Sequence, residues 1–187
     1  DVAQEEATED FHKGAAVAPL KMSYQEATVP ELYRKRIGWL MILAFVGLLS
    51  SGVIAVYEDT IQQIIALAVF IPLLMGSGGN AGAQSATLMV RALAIGDVYI
   101  NQWVKVFVKE IVVGVSLGAS LGLLVSMFGY VRGGVEIGLI VGLTMMLVIV
   151  VANIIGMTLP FLLTSFGLDP AVASNPLITS ITDVLGL

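Results

Sequence analysis

Between Ile37 and Tyr57 the chain runs for roughly twenty residues without a charge, and four more apolar segments follow before it ends at Leu187. As helices, segments of this length span a hydrocarbon layer of about 30 Å. In lipid every backbone N–H and C=O must find its partner inside the protein, so such segments fold as helices and not as open strands. Hydrophobic residues make up 57 % of the chain and charged ones 12 %, a balance foreign to a water-soluble domain of this size. The sequence therefore predicts an all-α membrane protein.

The apolar segments lie at about residues 37–57, 60–94, 103–129, 134–166 and 170–187, giving five transmembrane helices per subunit. Arg34-Lys35-Arg36 stands directly before the first, which puts the N-terminus in the cytoplasm by the positive-inside rule. Arg91, Lys105 and Lys109 then fall on the same inner side, against Arg132 outside. The second segment carries Pro72 and the run Gly76-Ser-Gly-Gly-Asn-Ala-Gly82, read as an interruption at membrane depth. An odd number of spans argues against two inverted halves in one chain. Residues 1–32 read as a cytosolic connecting helix (1–13) and a linker with Gly14, Pro19 and Pro30, and residues 33–187 as the membrane domain. The first thirty residues are acidic and polar, unlike a secretory leader. The lack of an initiator Met and the stop soon after Asp183 lead us to expect absent soluble neighbours and a truncated last helix.

Several chemistries are excluded early. There is no cysteine, and the one histidine, His12, rules out a His-rich metal centre. The net charge of −5 gathers at the front, in Asp1, Glu5, Glu6, Glu9 and Asp10, and nothing points to nucleic acid. The glycine-rich run lies in an apolar segment and follows no strand, so it is not a dinucleotide loop. Its small residues would instead let the second helix approach the fifth, with Asn80 and Gln84 one turn apart as either pore lining or packing amides. Gly114, Gly118 and Gly122, and Gly134, Gly138 and Gly142, give the third and fourth helices flat packing faces. Thr144 and Asn153 read as helix–helix hydrogen bonds.

Two carboxylates bracket the last segment. Asp169-Pro170 is the N-cap and N1 pair of a helix start. Were the span helical to Asp183, that acid would stand about 21 Å further on, inside the bilayer. An intramembrane Asp costs roughly 2.5–3.5 kcal/mol on insertion scales and belongs against a bundle interior or wet cavity. It either serves a cation path or is kept protonated or hydrogen-bonded to Ser and Thr neighbours. Asn175-Pro176 would break the helix and expose oxygen ligands, or merely kink it. Two copies of Asp183 on a dimer axis would suit a hydrated Mg²⁺, which is usually held by one or two carboxylates with waters retained. The same pair could form an aspartyl-protease dyad, but Asp183 lacks a Gly-x-Gly-Asp setting.

The stretches PLLMGSGGNAGAQSATLMVRALA (Pro72 to Ala94) and LDPAVASNPLITSITDVLGL (Leu168 to Leu187), together with Arg36-Ile-Gly-Trp-Leu40, resemble the signature stretches of the MgtE magnesium channels and transporters. The similarity runs from Tyr33 onward. It implies a homodimer in the bacterial inner or plasma membrane, with a pore on the dimer axis lined by the second and fifth helices, carrying Mg²⁺ inward down its electrochemical gradient. Mg²⁺ is then cargo; no organic cofactor and no enzyme activity are implied. By the resemblance Asp183 is the central pore aspartate, Asn175 the pore-lining kink, Asp169 the acidic inner mouth and the Thr179 carbonyl a second contact to the ion's water shell, with Asn80 near the path. Cytosolic N and CBS domains that sense Mg²⁺ are expected beside it. Ala83 departs from the pattern where an amide is expected. The alternatives within transport are a carrier for Mn²⁺ or Co²⁺ and exchange coupled to H⁺ or Na⁺.

Overall fold

The computed structural model describes residues 9, 12–18, 24–63, 65–173 and 175–186. The acidic residues Asp1, Glu5, Glu6 and Asp10, Pro19 and the terminal Leu187 lie outside that set. Among the described residues the regular structure is helical: α1 Val29–Val56, α2 Glu58–Gln63, α3 Ile65–Ala68, α4 Ile71–Ala94, α5 Trp103–Ser165 and α6 Asn175–Gly186. Short 3₁₀ turns at Ile100–Gln102 and Pro170–Val172 precede α5 and α6. Three stretches are long and apolar enough to cross a membrane, Val29–Val56, Ile65–Ala94 and Ile100–Ser165.

The longest of these is two antiparallel helices. Gly133 and Gly134 leave helical geometry, with Gly134 at φ 80°, a conformation open to glycine at no steric cost. They divide α5 into arms α5a (103–132) and α5b (135–165), which fold back on each other through glycines. A methyl group on Gly122 would lie 2.6 Å from the Gly142 carbonyl oxygen, and one on Gly118 2.8 Å from that of Met146. The expected faces are thus present, except that Gly134 makes the turn and packs against nothing. Lipid gives helices no hydrophobic incentive to associate, so close backbone approach of this kind carries the packing.

α5b is the hub. Val141, Met145, Ile149, Ala152 and Met157 are buried, joined by Phe70, Leu74 and Ala81 at one end and by Met89 and Phe161 at the other. α1, by contrast, buries none of its 28 residues and leans on α6.

Two expectations are corrected here. The glycine-rich run does not interrupt the second segment, because α4 is continuous from Ile71 to Ala94. The break comes earlier, at Val69-Phe70, and Pro72 sits in the first turn of α4, where its missing N–H would have no helical partner anyway. Likewise the last helix begins at Asn175 and not at residue 170. Ala173 leaves helical geometry (φ −68°, ψ 61°) after the 3₁₀ turn, so Pro176 also falls in a first turn and frees no carbonyl. The residue before a proline avoids helical geometry, which favours a restart at this point. Pro160 is the proline that does lie inside a helix, buried in α5b.

The tightest approach tests the packing. A Cβ on Gly156 would collide with the Gly82 carbonyl oxygen of α4, whereas one on Gly47 of α1 would meet nothing within 4 Å. Gly156→Ala should therefore lower thermal stability in detergent by the equivalent of about 1–3 kcal/mol, while Gly47→Ala leaves it unchanged or slightly raised. Equal melting curves for the two variants would contradict this packing.

Candidate functional site

α4 has two unlike faces. Gly78, Gly79 and Gly82 are buried against α5b and α6: a methyl on Gly79 would lie 2.7 Å from Thr179 Cγ2, and one on Gly82 3.0 Å from Ile178 Cγ2. The glycine-rich run thus brings the second segment against the last one, as its small residues predict. About one turn apart on the other face, Gly76, Asn80, Gln84 and Thr87 are partly or fully exposed. α6 repeats the division. Ile178 and Thr182 are buried, while Asn175, Thr179 and Asp183, spaced by four, form one open stripe.

The two open stripes meet. Asn80, Ala83, Gln84, Thr87, Leu88 and Asn175 line an open groove of about 510 Å³. Thr87 Oγ1 lies 3.1 Å from Asn175 Oδ1 and 2.8 Å from the Ala83 carbonyl oxygen, so its one proton can go to either. Ala83, where an amide was expected, leaves the groove wall short of one side-chain donor and acceptor. Thr87 was overlooked in the sequence, although its spacing of three from Gln84 and seven from Asn80 puts it on the same helix face.

Thr179 donates its hydroxyl proton to the Asn175 carbonyl (2.9 Å) and packs on Gly79. Asp183 lies two turns beyond Asn175, about 12 Å along α6. It is half-buried, and no described residue gives it a hydrogen bond or ion pair. Its neighbour Thr182 donates elsewhere, to the Ile178 carbonyl at 2.8 Å. The structure therefore brings Asn80 and Asn175 to one groove, sets Thr179 beside it, and leaves Asp183 deeper on the same stripe.

Asp169 stands apart, at the other end. Its Oδ1 accepts from the Ala171 N–H at 2.8 Å, capping the 3₁₀ turn, and its Oδ2 accepts from Lys13 Nζ at 2.6 Å. Burial pushes the Asp169 carboxyl up. The Lys13 hydrogen bond, the Ala171 N–H and the Lys13 charge together outweigh this and hold it below the usual carboxylate range. The Lys13 ammonium is in turn stabilised by its hydrogen bonds to Asp169 and to Glu9, the latter at 2.9 Å. This pair ties the turn around residues 13–16 to the 3₁₀ turn that precedes α6. Between them lies a cavity of about 540 Å³ lined by Gly14, Ala15, Thr87, Ala171, Asn175 and Pro176, among others.

Comparison with known proteins bears on all of this. A family model described as "MgtE: Divalent cation transporter" matches residues 71–187. The magnesium transporter MgtE of Thermus thermophilus is 42 % identical over 187 residues, covering 100 % of this chain and 42 % of that protein. The Bacillus subtilis magnesium transporter MgtE is 32 % identical over 188 residues, 100 % of this chain and 41 % of the relative. That of Enterococcus faecalis is 35 % identical over 185 residues, 98 % and 40 % respectively. The chain thus spans about two fifths of the length of the curated relatives it matches.

The Lys13–Asp169 pair generates a prediction with a definite sign. Because the Asp169 carboxyl is lower when folded than its unfolded value of about 3.9, the stability it contributes is complete above about pH 4. That stability is lost as the pH falls through the lowered folded value. Both side chains are partly exposed, 27 % and 38 %, so screening keeps the coupling at about 0.2–1 kcal/mol. A double-mutant cycle of Lys13→Met and Asp169→Asn, followed by thermal unfolding at pH 7 and pH 3, should show coupling at the first and less at the second. Coupling that grew on acidification would refute the pair.

Proposed function

This chain belongs to the MgtE family of divalent cation transporters, and from that membership we propose that it forms the pore of a magnesium conduit. It is a membrane protein and a transporter, not an enzyme. On this reading residues 33–187 are the pore domain and residues 1–32 the connector to cytosolic regulatory domains of the N and CBS type. α1, the α2–α4 segment, α5a, α5b and α6 make five crossings with the N-terminus cytoplasmic. Two chains pair so that α4 and α6 of each line one path for Mg²⁺ down its electrochemical gradient.

The observation that carries the proposal is Asp183. A carboxylate in an apolar segment with no described partner is too costly to keep without a use, and the stripe it shares with Thr179 and Asn175 continues into the Asn80 groove. Mg²⁺ dehydrates reluctantly and prefers carboxylates with its waters kept. Asp183 from each chain would supply the charge, while Asn80, Asn175 and the Thr179 carbonyl face the water shell. Asp169 stands at the inner mouth, though its Oδ2 already accepts from Lys13 and its Oδ1 from the Ala171 N–H.

Asp183→Ala should abolish Mg²⁺ uptake into proteoliposomes while the protein still elutes as the wild-type assembly. Asn80→Ala and Asn175→Ala each remove one neutral oxygen worth about 1 kcal/mol and should weaken apparent Mg²⁺ affinity by roughly fivefold. Wild-type uptake by Asp183→Ala would overturn the reading. A reversal potential that tracked Mn²⁺, Co²⁺, H⁺ or Na⁺ gradients in place of Mg²⁺ would assign a different carrier.

A further inference from the structure

Asn175 enters the groove with its backbone fixed and its side chain free to turn. It opens α6, its main-chain oxygen accepts the Thr179 hydroxyl at 2.9 Å, and Pro176 behind it narrows the backbone angles open to it. The amide beyond those restraints is exposed and turns about two torsions. Across the groove, Thr87 Oγ1 on α4 lies 3.1 Å from Asn175 Oδ1, and this is the hydrogen-bond contact of that amide among the described residues. Ala83, one turn earlier on α4, has only a methyl group to offer. Thr87 is suited to hold a partner still: it is β-branched and therefore stiff at χ1, and its Oγ1 sits 2.8 Å from the Ala83 carbonyl oxygen.

The hydroxyl can serve Asn175 in two ways, because it carries one proton and two lone pairs. With the proton turned to Asn175 it donates to Oδ1, which leaves the amide NH₂ on the side away from Thr87. With the proton turned to the Ala83 carbonyl, the Thr87 oxygen becomes an acceptor. A half-turn of the amide then brings an Nδ2–H onto it and leaves Oδ1 free to accept from a water in the groove. A valine at position 87 can do neither. A hydrated Mg²⁺ keeps its waters, and these direct their hydrogens outward, so an arriving ion favours the second arrangement.

We propose that Thr87 is a positioning residue for the Mg²⁺ path: its hydroxyl holds the Asn175 amide across the seam between α4 and α6 and, by reversing its proton, turns the Asn175 oxygen to the ion's water shell. The inference deepens the pore reading of this groove and rests on it.

The test follows uptake into proteoliposomes as a function of Mg²⁺ concentration. Thr87→Val, which keeps the shape and loses the hydroxyl, should weaken apparent Mg²⁺ affinity by roughly fivefold, the effect expected of Asn175→Ala, with Tm and elution as in wild type. Thr87→Ser should restore the affinity. Thr87→Val combined with Asn175→Ala should lose no more than Asn175→Ala alone, because a residue that acts through Asn175 has nothing left to position. Wild-type affinity in Thr87→Val, no rescue in Thr87→Ser, or losses that multiply in the double variant would each overturn the proposal, the last by assigning Thr87 its own contact with the ion's waters. Should Thr87→Val not assemble, Thr87→Ala is held to the same criteria. Asp183→Ala runs beside these variants. Uptake retained there removes the path and this inference with it, whereas a silent Asp183→Ala beside an unaltered Thr87→Val overturns the inference alone.

Discussion

Backbone contact between α4 and its neighbours is the constraint on which the other features rest. In water, apolar surface drives helices together, but in lipid that incentive disappears and dispersion at close range has to replace it. Glycine gives the closest range available. Gly78, Gly79 and Gly82 let α5b and α6 touch the main chain of α4, and Gly156 answers from the other side. Each glycine costs about 1 kcal/mol of helix propensity relative to Ala, a penalty that close contact offsets at these four positions. Because those contacts occupy one face of α4, its amides and hydroxyls are confined to the other. The groove of Asn80, Gln84 and Thr87 is in that sense a consequence of the packing.

The three acids in or next to the bundle show how differently one side-chain type can be accommodated. Asp169 has a lysine and a backbone N–H, so its charge is satisfied locally and it fastens the 3₁₀ turn that precedes α6. Glu110 accepts from the Ser85 hydroxyl of α4 at 3.0 Å. Asp183 has no described partner at all. Ranked by how incomplete their surroundings are, Asp183 comes first, and incompleteness is what distinguishes a group waiting for a ligand from one that fastens a fold.

Much of this was legible in the residues, and the failures have physical causes. Glycine spacing of four translated directly into packing faces on α5a and α5b, since the period of a helix fixes which residues share a side. The start of α6 was misread because Asp169-Pro170 and Asn175-Pro176 are both good helix openings. Only the chain path between them, with Ala173 out of helical geometry, decides which one α6 uses. The glycine run of α4 was misread for the opposite reason: local propensity says broken, and tertiary contact overrides it. The Ser85–Glu110 contact and the Lys13–Asp169 pair join residues 25 and 156 positions apart, and no local pattern encodes such partners. A lone carboxylate in the third apolar segment was nonetheless a visible signal at Glu110.

Charge balance adds a final step to the proposed function. Among the described residues one chain would offer the proposed path a single unpaired carboxylate, Asp183, with the neutral oxygens of its stripe. A divalent ion next to one such group leaves an uncompensated positive charge in a low-dielectric setting, where the imbalance costs far more than in water. Two copies of the chain on a twofold axis remove that imbalance without further mutation, because a symmetric interface presents every residue twice. The neutral oxygens of Asn80, Asn175 and Thr179 then need only replace outer-shell water, for which amides and carbonyls suffice. In the proposed pairing one Asp183 would match a monovalent charge and two a divalent one, so that assembly would itself contribute to selectivity.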